Sequence, residues 1–231
     1  MNAAATNPPS AISSMRLWQL ISPALPIGAY AYSQGLEYAV DSGWINNEQQ
    51  ASEWIHGQLN HNLAQLDAPV FLRLYDAWQQ NDVDAVSYWN RFILASREAA
   101  ELYQEDCNLG QALNRVLQGL EIKMPALPQQ QTEIAFVTCL AFTCHTWHID
   151  KMEAVQGLLW SWCENQVAAA IKIIPLGQTS GQKIMSEAIE VIAAAVNKAM
   201  QCEDEQIGML APAVAIASAL HETQYSRLFR S

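Results

Sequence analysis

A chain of 231 residues is long enough to bury a full hydrophobic core without disulfide or metal staples. Its net charge of −11, with no local cluster of Lys or Arg, argues against nucleic acid or an anionic membrane as a partner. Hydrophobic residues make up 51% and charged residues 15%, with eight Trp and seven Tyr, a surplus that either fills a helical core or leaves apolar surface for a partner.

Residues 1–13, with Asn7-Pro8-Pro9-Ser10, read as a flexible N-terminal arm, and 14–231 as one all-helical domain. The arm lacks the basic and apolar regions of a signal peptide. A short helix over Met15–Ile21 is stopped by Ser22, Pro23 and Pro26, and a defined loop with Gly28 leads to a helix from Ser33 to Asp41. From Asn47 onward the apolar period is 3.6: Trp54, Ile55, Leu59, Leu63 and Leu66 share a face, capped by Asn46 or Asn47. Pro69 marks a kink or a new helix through Val70–Gln79, Asp82 caps Val83–Ser96, and Arg97–Gly119 continues the pattern. After a loop over Lys123–Gln131, Thr132 and Glu133 open an apolar helix to about Trp147. Asp150 starts another, ended by Pro175; helices over Gln178–Met200 and Glu205–Leu228 complete the series. The expectation is an all-α, single-domain bundle of roughly nine to ten helices. The longest apolar stretches, 134–144 and 207–220, fall short of the roughly 18 residues a membrane span needs. Five Cys at irregular spacings do not form a disulfide framework. Together these point to a reduced, cytoplasmic protein without a membrane span.

Tests for catalytic chemistry fail. Gly177 to Lys183 has the wrong spacing for a phosphate loop, which needs four residues between its glycines and then Gly-Lys. Ser180 and Lys183 match Ser-x-x-Lys, but the companion motifs are missing. No nucleophile stands with a base, and the chain reads as a non-enzyme. One cluster, Cys144, His145 and His148, offers soft and imidazole ligands, with both imidazoles on one helical face. That leaves a nickel-binding chaperone as an alternative, against a reading in which Cys144 faces the core and the histidines finish a helix end.

Three segments stand out. Residues 22–37, SPALPIGAYAYSQGLE, place Tyr32 on a loop and Ser33 as the cap of a helix carrying Gln34 and Glu37. Residues 172–182 contain PLGQTSGQ, with Lys172 in a last helical turn and Gln178 and Gln182 on one amide stripe. Residues 221–231, HETQYSRLFRS, carry His221 and Tyr225, then Leu228 and Phe229 between Arg227 and Arg230, an anchor that orders either on this chain or on a partner.

In order and spacing these segments closely resemble the UreF family of urease accessory proteins. The resemblance implies an all-α protein without enzymatic activity of its own. It implies binding to UreD (UreH in some organisms) and to the GTPase UreG, contact with apo-urease through UreD, and a homodimer in the complex. Nickel and GTP are then handled by the partners, and this chain binds no cofactor. GTP hydrolysis is coupled to nickel delivery. Carried over by position, Tyr32, Glu37, Lys172 and Arg227 fall on positions linked to UreG contact or control of activation. Gln34, Gln178, Gln182, His221, Tyr225, Phe229 and Arg230 join them as further partner-binding residues, the C-terminal strip resembling the part that orders on UreD.

Overall fold

The computed structural model describes residues 11–128, 131–208 and 211–231. Residues 1–10 of the expected N-terminal arm lie outside that set, and residues 11–13 form the first turn of helix α1 (Ala11–Ile21). The chain then turns through Gly28, at φ 80, into one 3-10 turn (Ala29–Ala31), and through Gly35, at φ 79, into α2 (Leu36–Asp41). Both angles lie in the left-handed region that glycine enters without steric cost. The Asn47 side chain accepts the Gln50 N–H at 3.0 Å and caps α3 (Glu48–Gln58). A single π turn (Leu59–Leu63) follows, closed by Ala64 N–H donating to the Leu59 carbonyl at 3.0 Å.

Pro69 sits in the first turn of α4 (Asp67–Gln80), where its missing N–H costs little. Asp82 caps α5 (Val83–Ala95), and α6 (Ala100–Gly119) follows. Helix α7 (Phe136–Thr146) precedes α8 (Lys151–Ile173), which Asp150 caps by accepting the N–H groups of Met152 and Glu153. Helix α9 (Gln178–Gln201), a second 3-10 turn (Asp204–Gln206) and α10 (Pro212–His221) complete the order. Among the described residues there are ten α-helices and no strand, the all-α class the periodicity predicts.

Three expected starts shift by a few residues, α1 to Ala11 from Met15, α2 to Leu36 from Ser33 and α6 to Ala100 from Arg97, and two larger differences have physical reasons. Thr132 and Glu133 do not open α7. Its first amides are satisfied from other helices instead: Ala135 N–H donates to Asn90 Oδ1 at 2.9 Å and Phe136 N–H to Asp106 Oδ1 at 2.6 Å. The helix expected over Glu205–Leu228 is broken as well. Pro212 can only open a helix, and beyond His221 the backbone bonds to a distant loop: Arg230 N–H donates to the Ala31 carbonyl and Ser33 N–H to the Ser231 oxygen, both at 2.8 Å.

Helix α4 lies at the centre, packed by α5, α7, α8 and α9, with Phe71 and Leu74 fully buried. The run from Val137 to Cys144 in α7 is buried throughout, because that helix is wrapped by α4, α6 and α8. Its continuous apolarity therefore serves the core. No helix among the described residues is long and apolar enough to cross a membrane.

Candidate partner-binding face

The C-terminal strip, residues 222–231, folds back on the loop before α2. Glu37 is the anchor: although almost fully buried, its carboxylate accepts N–H from Leu228 at 2.7 Å and from Phe229 at 3.0 Å. Hydrogen bonds to an ionised group are each worth about 1.5–3 kcal/mol, more than neutral ones. Ser33 Oγ donates to the Ser231 oxygen at 2.5 Å and also accepts the Glu37 N–H at 3.3 Å. It is not the helix cap its position predicts: Gly35 is the N-cap residue of α2, without a side-chain cap, and Gln34 lies before the helix. Phe229 is buried in the core cluster, with Lys172 Nζ 5.5 Å above its ring. Lys172 itself is exposed in the last turn of α8.

The other wall of the site is the face of α6. His221, fully buried, stands between two carboxylates: its Nδ1 is 2.6 Å from Glu101 and its Nε2 is 3.1 Å from Glu37. Arg227 reaches the other oxygen of Glu101 at 2.5 Å. One turn further along α6, Glu105 accepts from Gln34 Nε2 at 2.8 Å and from Ser231 Oγ at 2.7 Å. Gln34, at φ 51, accepts from Trp162 Nε1 at its side-chain Oε1, at 2.7 Å. Burial pushes the Glu105 carboxyl up to about 7, opposed by the hydrogen bonds from Gln34 and Ser231 and by Arg97. Arg97 is held between Asp67 at 2.6 Å and Asp106 at 2.8 Å. Burial works to lower its pKa, and the two carboxylates outweigh burial and raise it. Tyr32 is buried, its hydroxyl accepting from Asn108 Nδ2 at 3.3 Å, and it lines a cavity of about 110 Å³ with Gln34, Glu105 and Trp162.

The structure thus gathers Tyr32, Gln34, Glu37, Lys172, His221, Arg227 and Phe229 around the docked strip. Tyr225, fully exposed, and Leu228, 75% exposed, face outward, and the Arg230 side chain is exposed beside them. Gln178 and Gln182 are also exposed but sit on the first turns of α9, where Lys183 pairs with Glu48 at 3.6 Å. The Ser180 hydroxyl and Lys183 lower the pKa of that glutamate, so the Ser-x-x-Lys pair serves a surface contact. Sequence reasoning missed Arg97, Glu101 and Glu105. The signal was available: Glu101 and Glu105 are four apart, on the α6 face that also carries Leu102, Leu109 and Leu113.

The nickel-holding alternative is not favoured. Helix α7 ends at Thr146 and His148 lies beyond it at φ 54, so the two imidazoles do not share a helical face. Cys144 is fully buried and burial raises its thiol pKa, away from the thiolate a metal needs. His145 packs edge-on to Tyr75, and burial, then His148 beside it, lowers its pKa. Among the described residues no group of three His, Cys, Asp or Glu is placed to hold a metal ion.

A sequence model of the UreF family matches residues 45–189. The chain belongs to the UreF family. It is 50% identical over 227 residues to the urease accessory protein UreF of Alkalilimnicola ehrlichii, covering 98% of each chain. It is 47% identical over 229 residues to that of Psychrobacter cryohalolentis, covering 98% of this chain and 97% of the relative. The UreF of Teredinibacter turnerae is 49% identical over 217 residues, 94% of this chain and 98% of its own. The family model and the motifs are complementary. The model covers the helical body, α3 to the first half of α9, whereas the loop before α2 and the strip that docks on it lie outside the match. The near-full-length relatives carry UreF membership across both.

Proposed function

We propose that this UreF family member is a cytoplasmic, non-enzymatic scaffold in nickel-dependent urease maturation. It binds UreD (UreH) and the GTPase UreG, meets apo-urease through UreD, and couples GTP hydrolysis to nickel delivery, with nickel and GTP held by the partners. The observation that carries this reading is the docked C-terminal strip. Its backbone is fixed to Glu37, Ala31 and Ser33, while Tyr225, Leu228 and Arg230 project outward beside Tyr30. Rigid, exposed aromatic and arginine side chains are the residue types that dominate protein interfaces. A second apolar surface, Ile12, Met15 and Trp18 on α1, supports assembly with more than one partner, a second copy of the chain among them.

Arg227→Ala tests the reading. It removes one partly exposed ion pair with Glu101, and such pairs add little to stability, so the thermal midpoint stays within a few degrees of wild type. Affinity of the UreD-bound protein for UreG is expected to fall about tenfold, equivalent to about 1.4 kcal/mol, measured by titration calorimetry. Unchanged UreG affinity removes Arg227 from the interface.

A further inference from the structure

Two buried amide oxygens have no hydrogen-bond partner in the fold, and their residues line the same cavity. They are Oδ1 of Asn62, in the π turn after α3, and Oε1 of Gln166, on α8. Asn62 is 6% exposed and Gln166 2%. The cavity is the one of about 110 Å³ that Tyr32, Gln34 and Glu105 also line. A buried carbonyl oxygen without a partner carries its full desolvation penalty, and the side chains of Leu102 and Leu158 on the same wall have no donor to offer.

Tyr32 adds the opposite need. Its hydroxyl oxygen accepts from Asn108 Nδ2 at 3.3 Å, which leaves the hydroxyl hydrogen to be donated. Gln34 and Glu105 are already engaged: Gln34 bonds Glu105 and Trp162, and the second Glu105 oxygen accepts from Ser231. Arg97 is likewise held by Asp67 and Asp106. The groups left over around the cavity are therefore two acceptors and one donor. A bound cation satisfies acceptors only, and among the described residues no three His, Cys, Asp or Glu are placed to hold a metal. Water both donates and accepts, typically making two to four bonds when buried, and so complements this set. At about 30 Å³ of liquid volume per molecule, a cavity of about 110 Å³ has room for about three waters.

We propose that the cavity is an internal water site, in which about three ordered waters join Asn62 of the π turn and Gln166 of α8 to Tyr32, in the loop on which the C-terminal strip docks. Water then completes the hydrogen bonding at a junction that neither amide oxygen closes directly. The site belongs to the folded chain alone and does not depend on which protein covers the strip.

A crystal structure of the full chain, at a resolution that shows ordered water, tests it. Density for discrete molecules about 2.5–3.0 Å from Asn62 Oδ1 and from Gln166 Oε1 is the expected result. A cavity without density overturns the proposal, and so does rotation of both amides onto protein partners. A single strong peak about 2.0–2.6 Å from several oxygens, the spacing of a bound cation, overturns it too. Gln166→Leu asks the same question in solution. In a hydrated cavity the change takes an acceptor away from bound water, and the thermal midpoint is expected to fall by about 2–4 °C. In a dry cavity it removes a lone buried carbonyl oxygen, so the midpoint stays or rises, a result that overturns the proposal. Should the variant not fold, the density of the wild-type chain decides alone.

Discussion

Arg97 holds its guanidinium 2.6 Å from Asp67 and 2.8 Å from Asp106. Both carboxylates are buried, and Asp106 also receives the Phe136 N–H that begins α7. Deleting the cation leaves two buried negative charges facing each other, a change that costs about 3–5 kcal/mol where buried pairs are broken from one side. Arg97→Ala is therefore expected to lower the free energy of unfolding by that amount, read by circular dichroism as a lower urea midpoint with little change in the slope. A loss below about 1 kcal/mol would mean that solvent reaches the pair. Glu37 has a different role. Its carboxylate is spent on main-chain N–H groups of the strip, so it fixes where Leu228 and Phe229 lie.

At the scale of elements, close approach decides how the helices pack. A Cβ built on Gly110 of α6 would stand 2.0 Å from the Ile134 carbonyl oxygen, so α6 presses directly on the backbone that leads into α7. Gly110→Ala must push that segment away and disturb the Asn90 and Asp106 contacts that start α7. Overpacking of this kind costs about 1–3 kcal/mol, read as a lowered thermal midpoint. Gly119→Ala, with nothing within 4 Å of the new atom, is the matched control and should stay near wild type. The same comparison shows which elements were legible in sequence. Asn47, Asp82 and Asp150 cap helices through their own neighbours, so local spacing located those starts. The start of α7 is set by Asn90 and Asp106 from other helices, and no local pattern could reveal it. The expected helix over Glu205–Leu228 overlaps the strip, and which surface the anchor at residues 221–231 orders on is not local information: its partners at Ala31, Ser33 and Glu37 lie near the other end of the chain.

Across the whole molecule, the three unusual sequence segments divide unequally. The loop of residues 22–37 and the terminal strip form one site, and Lys172 joins it through Phe229. Gln178 and Gln182 stand apart on α9. Resemblance points to Glu37, His221 and Arg227, whereas Glu101 and Glu105 lie in no motif, and only their spacing on α6 hints at the side that receives His221, Arg227 and Ser231. The surplus of apolar and aromatic residues is used twice: within, where α4 and α7 are buried nearly all round, and outside, where Trp18, Tyr225 and Leu228 remain exposed. The outward set is what the scaffold reading assigns to partners. Size-exclusion chromatography with mass determination, on the full chain at micromolar concentration, alone and mixed with UreD and then UreG, tests that assignment most directly. Co-elution with UreD, and recruitment of UreG to that complex, is the predicted result; separate elution from UreD would contradict it.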